Sequence, residues 1–260
     1  MDLVNLNNID NHISVVISSC LINQGKIKCL IEVLKNLNYF LPNSEIIIGF
    51  DKVGPNDLQK KELDILKNVS YFTHSKGLGF SFNEGARLSK RNIILQTEDD
   101  WIVDNKYLKT KEDFMVLLFN CWQILFKHKT CCVKLDGGMF DEIGGSSGYP
   151  LGWIKHQYED KFYYYEYNLP TKQEMDNNWW LHYAFSNHPH LKLKHSVIEH
   201  PYPEDVDPGT LENTYSTDWI LRLQPIFYVP INEESIKICG ITNPDKNIFK
   251  HIGYEFSYRL

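Results

Sequence analysis

The stretch Asn92-Ile-Ile-Leu-Gln-Thr-Glu98-Asp99-Asp100-Trp101 decides how the rest of the chain is read. Its apolar, β-branched run has the character of a buried strand in a parallel sheet. The run stops in three adjacent carboxylates, Glu98, Asp99 and Asp100. In open α/β sheets, ligands bind just beyond the carboxyl ends of strands. Acids crowded there repel one another and lose hydration, so a compensating cation is expected. Carboxylate oxygens suit the hard ions Mg2+ and Mn2+. A solvated acidic turn or a helix N-terminus would also gather acids.

Upstream of this stretch, strands and helices alternate. His12 to Cys20 is predicted as a first strand, and residues 1–11 as a loose lead-in. Ile27, Leu30, Ile31, Leu34 and Leu37 recur at helical spacing. Glu45 to Asp51 is a second strand that ends in an acid, and Pro55-Asn56-Asp57 opens a helix running to Lys67. Val69 to His74 is a third strand. Lys76-Gly-Leu-Gly-Phe-Ser-Phe-Asn83-Glu-Gly-Ala-Arg87 is a glycine-rich turn leading into a helix. Such alternation implies a parallel α/β sheet with helical crossovers.

Downstream the pattern loosens. Glu112 to Phe126 is predicted helical and Cys131 to Leu135 a strand. Asp136 to Trp153 is a Gly- and Ser-rich loop, and long loops in compact domains are often functional. Phe162 to Tyr167 reads as an aromatic strand, while residues 168–210 have no clear period. Leu211 to Leu223 is expected to be helical and Ile226 to Ile231 a strand, with Phe249 to Gly253 closing the chain. No repeat and no linker is evident. The expectation is one domain over residues 1–260, with a ligand-binding half at about 12–103 and an irregular lobe at about 104–260.

Composition narrows the class. The chain has 260 residues, 43% of them hydrophobic and 13% aromatic, enough for a sizeable core. A net charge of −6 argues against a nucleic-acid backbone as partner. No apolar run reaches the roughly 20 residues that span a bilayer. The N-terminus lacks the charged and apolar regions of a signal peptide. The six cysteines, 20, 29, 121, 131, 132 and 239, contain no CxxC pair. Reduced thiols in the cytoplasm or another reducing compartment are expected, with Cys131-Cys132 in a buried strand.

The order of these features resembles the nucleotide-sugar-dependent glycosyltransferases of the GT-A fold, close to the large family 2 group. Residues 13–103 carry the resemblance: strand, helix, strand ending in Asp51, glycine-rich turn with Asn83, strand, acidic triplet and Trp101. Phe249-Lys-His251-Ile-Gly253 is similar to the His-Ile-Gly ending of related enzymes. The chain departs from the family at Asp51, where a single acid stands after Phe50 in place of the usual two. The resemblance implies an α/β GT-A fold with a mostly parallel, helix-flanked sheet and an irregular acceptor lobe. It gives Glu98-Asp99-Asp100 the part of the DxD motif. It implies a nucleotide-sugar donor, a glycan or other hydroxyl acceptor, and Mn2+ or Mg2+ as cofactor.

The residues can be given expected roles. Asp100 is the expected metal ligand, with Glu98 and Asp99 on the ribose or on metal-bound water. His251 is expected as a third metal ligand or a phosphate contact, since imidazole tolerates Mn2+. Asp51 would accept hydrogen bonds from the base or ribose, or else cap a turn. Ser18, Ser19 and Cys20 end the first strand where the base would lie, or are simply small enough to pack closely. Gly77 and Gly79 would let backbone approach the donor, with Asn83 or Arg87 reaching it.

Transfer needs a base for the acceptor hydroxyl, and the resemblance implies that it lies late in the chain near a helix start. Glu212 is the first choice, then Asp218, then Asp176. The histidines 182, 188, 190, 195 and 200 match no common zinc spacing and are expected in loops and at the surface. Two other activities remain open from the sequence: a GT-A-like glycan-binding or assembly module without catalysis, and a nucleotidyltransferase.

Overall fold

The structure is a computed structural model that describes residues 4–104, 108, 110–127, 132–135, 164–165, 189–207, 210–211, 226–228 and 249–253. Four parallel strands form its heart: β1 (Ile13–Ser19), β2 (Glu45–Asp51), β3 (Val69–His74) and β4 (Ile93–Glu98). The described strands of the main sheet run β3-β2-β1-β4-β8-β6-β9-β7. Here β6 is Cys132–Lys134, β7 Tyr164–Tyr165, β8 His190–Leu193 and β9 Ile226–Tyr228. Strand β8 lies antiparallel between β4 and β6. A second ribbon pairs β5 (Trp101–Val103) antiparallel with β10 (Phe249–His251).

The two faces of the sheet differ chemically. On one face Ile13, Val15 and Ile17 of β1, Ile46, Ile48 and Phe50 of β2 and Leu95 of β4 join a single apolar core. Helix α1 (Gln24–Phe40) packs there through Ile27, Leu30, Val33, Leu34 and Leu37, all buried. Each such side chain contributes about 1.5–3 kcal/mol of transfer energy. That burial, more than helix propensity, holds α1 to the sheet. Helix α4 (Lys111–Lys127) completes the layer through Phe114, Leu117, Leu118 and Leu125. A reciprocal cap starts it: Asp113 N–H donates to Thr110 Oγ1 and Thr110 N–H donates to Asp113.

The opposite face carries α3 (Gly77–Leu88) and the short α5 (Lys194–Glu199). A side chain on Gly85 would put its Cβ 2.4 Å from Val16 Cγ1, so the glycine sets how closely α3 approaches β1. This layer is polar toward β8. Gln96, His190 and Lys192 are all buried there, with Tyr202 over them.

Several sequence expectations shift. The lead-in is docked, not loose: Ile9 and Asp10 are buried, and Asp10 accepts from the Asn43 side chain at 2.9 Å. Helix α2 (Asp57–Asp64) stops three residues before Lys67, and Asn56 caps it in a capping box with Gln59. The helix expected after the glycine-rich turn already begins at Gly77. His190 lies on a buried strand, not at the surface. Cys20, Cys29 and Cys121 form no disulfide, and Cys131 lies outside the described residues. Among the described residues no helix is long and apolar enough to cross a membrane.

Candidate active site at the switch point of the sheet

From β1 the chain steps outward through β2 to β3 on one side, then returns to β4 on the other. The crevice between the carboxyl ends of β1 and β4 is therefore a topological switch point, where α/β folds place ligands. Register brings Ser18 opposite Glu98 there. Glu98 closes β4, while Asp99 and Asp100 form the turn into β5.

Asp99 is committed to the protein itself. Lys26, in the first turn of α1, pairs with its Oδ1 at 2.7 Å, and Ser19 Oγ donates to its Oδ2 at 2.6 Å. The carboxylate side chain is 3% exposed and the Lys26 side chain 15%. Burial pushes the Asp99 carboxyl up, and Lys26 opposes it. Burial would lower the Lys26 ammonium, but Asp99, backed by Asp100 and Glu98, outweighs that and holds it above its ordinary value. The two shifts favour opposite charge states. The 2.7 Å contact, with a hydroxyl donating to the same carboxylate, fits the ionised pair. Sequence reasoning missed Lys26, because nothing local links it to a triplet more than seventy positions away.

Asp100 faces the other way. His251 Nε2 approaches its Oδ2 at 3.2 Å, and the side chains are 21% and 7% exposed. Ile252 N–H donates to the Asp100 carbonyl at 2.7 Å, and His251 pairs with Trp101 in the β5–β10 ribbon. Trp101 meets the imidazole edge-on, with centroids 5.2 Å apart. Two anchors hold the ribbon in place. Phe249 is buried against Phe114, and the Asn36 amide bonds both Val103 N–H (2.8 Å) and Val103 C=O (3.1 Å). The expected Asp100–His251 pair, more than a hundred residues apart in sequence, is thus brought together.

Asp51 sits at the end of β2, where its Oδ1 accepts Gly77 N–H at 3.1 Å. His74 Nδ1 lies 3.6 Å from the same oxygen but accepts Lys76 N–H at 3.1 Å, so that nitrogen carries no proton. Nε2–H is then the donor toward Ser81 Oγ at 2.7 Å, and the ring is neutral. Burial holds His74 below its ordinary value, despite Asp51 and Glu204; Lys76 adds to the lowering. The unfolded chain therefore takes up this proton first as pH falls. Stability present above pH about 6.5 is expected to decline on acidification, by at most about 1.4 kcal/mol per pH unit. Melting curves from pH 8 to 5 should show a shallower decline in His74→Gln than in the natural chain. Identical slopes would count against this role.

The remaining expected residues divide. Ser18 and Ser19 are buried and Cys20 is half-buried at the end of β1. Gly77 has φ +78°, a left-handed conformation that glycine tolerates. The space at Gly77 and Gly79 is taken by residues 203–206 and Leu211, so the room expected for a donor belongs to the chain. Asn83 is 3% exposed and bonded to Tyr202 and Glu204. Arg87, ten residues beyond Gly77 on α3 and so about 15 Å along the helix axis, pairs with Glu84. Glu212, Asp218 and Asp176 lie outside the described residues.

The residues present suit a divalent ion delivered with a diphosphate. Among the described residues, no group of three or more His, Cys, Asp or Glu is arranged to hold a metal ion. Mg2+-type sites commonly use one or two carboxylates plus substrate phosphates. Asp100 at the switch point supplies one such carboxylate, with the His251 imidazole nitrogen 3.2 Å from it as a further donor.

A mostly parallel sheet of this order, flanked by helices and interrupted by an antiparallel strand beside β4, defines the GT-A fold. Solved structures similar to it include TarS 1-349 from S. aureus, with TM-score 0.52, 13% identity, and coverage of 87% of this chain and 64% of that one. A longer TarS structure gives TM-score 0.50 at 12% identity, covering 83% of this chain. A mycobacterial protein gives TM-score 0.50 at 11% identity, covering 93% of this chain and 81% of its own. The chain spans 64% of the shorter TarS chain and 34% of the longer. No protein-family profile matches the chain, and no curated protein matches it.

Proposed function

We propose that this protein is a metal-dependent glycosyltransferase. It moves a sugar from a nucleoside-diphosphate sugar to a hydroxyl acceptor, with inversion at the anomeric carbon. The observation that carries the reading is the pairing of Asp100 with His251 at the β1–β4 switch point, beside a carboxylate already neutralised by Lys26.

In this reading Asp100 and His251 hold Mn2+ or Mg2+. When bound, the ion neutralises the charge that develops on the departing diphosphate. Glu98 orients the ribose or metal-bound water. Ser18, Ser19 and Cys20 line the crevice. Asp51, with one oxygen on Gly77, offers the other to the base or ribose. Asp99 acts indirectly: by tying α1 to the end of β4, it keeps Asp100 aimed at His251. A carboxylate from the late segment, Glu212 first, then Asp218 or Asp176, takes the acceptor proton.

The test is a thermal-shift panel of nucleotide sugars with and without Mn2+. A ligand at one hundred times its Kd stabilises a native state by about 2.7 kcal/mol. Asp100→Ala is expected to abolish the Mn2+-dependent part while leaving the ligand-free melting temperature near that of the natural chain. His251→Ala should weaken nucleoside-diphosphate binding about tenfold or more and spare the free nucleoside. If Asp100→Ala binds nucleoside diphosphate with unchanged Mn2+ dependence, the metal assignment is wrong. Pyrophosphate release from a nucleoside triphosphate would favour nucleotidyl transfer.

A further inference from the structure

Among the described residues, β3 ends the main sheet on the side of β2. Every residue of β1 is buried, but none of β3 is. An edge strand offers a row of unpaired N–H and C=O groups to any chain that can pair with it, and proteins usually blunt such edges with lysine, proline or a bulge. Val69-Ser-Tyr-Phe-Thr-His74 contains no lysine, acid or proline. It pairs with β2 in unbroken register from Val69 to His74, so it carries no bulge.

The bonds at the two ends of β3 show which main-chain groups are spent. Ile46 N–H donates to the Asn68 carbonyl at 2.8 Å, and Lys52 N–H donates to the His74 carbonyl at 2.6 Å. The N–H and C=O of one strand residue point to the same side, and the side alternates from residue to residue. Ser70, Phe72 and His74 therefore face β2 with their main-chain groups. Val69, Tyr71 and Thr73 turn theirs outward, where no other described residue bonds them.

A second copy of the chain supplies the matching edge. A two-fold axis normal to the sheet at Tyr71 sets Val69 opposite Thr73 of the second copy, and Tyr71 opposite its own counterpart. All of these are outward-facing residues, so every N–H meets a C=O and none is left over. Moving the axis to Phe72 would set Val69 against Ser75, and moving it to Ser70 would set Thr73 against Lys67, both outside the strand. Each face of the edge also carries a half-buried aromatic side chain that pairing would cover. Tyr71 lies beside α2, its hydroxyl 3.4 Å from Asp64, and Phe72 lies edge-on to Phe80 of α3. Helix α2 holds acids and lysines in nearly equal number, Asp57, Lys60, Lys61, Glu62 and Asp64, so no field of one sign opposes the approach.

We propose that β3 is the contact between two copies of this chain, joined antiparallel into one continuous sheet. The strands of the two copies then run in opposite directions, and the two β1–β4 crevices open at opposite ends of the joint sheet. Each copy keeps its own candidate site, so the inference is independent of the reaction performed there. A strand of this length spans about 20 Å, a strip too small for the roughly 800 Å² per partner of a standard interface. The dimer therefore belongs to the weak class, with a Kd on the order of 10 µM.

The experiment is sedimentation equilibrium of the natural chain and two variants, over a range of about 1 to 200 µM that brackets this Kd. The natural 30.5 kDa chain is expected to approach twice its mass as concentration rises. Tyr71→Lys sets like charges against each other at the axis. Thr73→Pro removes an outward donor that an edge strand in the monomer can spare. Each should raise Kd at least tenfold, and Thr73→Pro decides if Tyr71→Lys does not fold. The register is read by cross-linking. Hydrogen-bonded antiparallel partners have Cα atoms about 5.5 Å apart, within the span of a disulfide. Oxidation should give a covalent dimer of Tyr71→Cys, and far less of Thr73→Cys or of the natural chain. A natural chain that stays monomeric at the highest concentration would leave the edge to a segment of some other protein and overturn the inference. A dimer indifferent to both Tyr71→Lys and Thr73→Pro would overturn it as well, as would equal cross-linking through positions 71 and 73.

Discussion

Replacing Lys26 with methionine is expected to destabilise the fold by about 3–5 kcal/mol, the cost of leaving a buried charge without its partner. The ammonium of Lys26 lies 2.7 Å from Asp99, which is almost fully buried and has one further described partner, the Ser19 hydroxyl. Methionine fills a similar volume, so lost packing is small and the loss is electrostatic. The sign with pH follows. Without Lys26, burial and the neighbouring Asp100 raise the folded Asp99 pKa above its unfolded value. A group raised on folding favours the native state below its unfolded pKa, and that advantage disappears as pH rises through the folded value. The deficit of Lys26→Met should therefore shrink on acidification. Adding Asp99→Asn should recover most of it at pH 7, giving a large coupling term in a double-mutant cycle. Denaturant melts of the four proteins measure this. A deficit independent of pH and of residue 99 would mean that Lys26 acts through packing.

Glu212→Gln is expected to lower turnover by about 10²–10⁴-fold, the usual cost of removing a general base. In an inverting displacement the acceptor attacks from the face opposite the leaving diphosphate. The base therefore has to lie across the sugar from the leaving diphosphate. Leu211, immediately before Glu212, is buried beside Gly79 at the first turn of α3, and Gly77 of that turn bonds Asp51. Donor and metal affinity should stay near natural values, which separates this variant from Asp100→Ala. Normal transfer by Glu212→Gln, or an isolated rate defect in Asp218→Asn or Asp176→Asn instead, would move the base elsewhere. Retained anomeric configuration in the product would reject direct displacement whichever carboxylate is changed.

What was legible in the sequence was local and periodic. Strands β1, β2 and β4 are rich in Ile and Val because both faces of a parallel sheet are covered, while the more exposed β3 mixes apolar and polar residues. Helix α1 shows its buried stripe because one side faces the sheet. The acids at the end of β4 mark the ligand edge, since the end of a strand is where the chain turns out of the core. Those features sufficed to expect a GT-A sheet and to draw attention to Asp100, while His251 was expected only through the resemblance of the Phe249 to Gly253 stretch.

Only the tertiary structure decided what each acid does. Asp99 and Asp100 are adjacent and chemically alike, yet one is bound by Lys26 and Ser19 and the other faces His251. That difference comes from an α1 side chain and a C-terminal strand, both remote in sequence. Asn83 and Gly79 were expected at the donor; in the fold they touch Tyr202, Pro203, Glu204 and Leu211, because a polar amide and a small residue serve a ligand and a neighbouring stretch of chain equally well. Those neighbours lie more than a hundred residues away in sequence. Arg87 is close to Gly77 in sequence, but a helix puts about 15 Å of axial distance between them. Periodicity reports which side of an element is buried. It does not report against what, which only the tertiary structure shows.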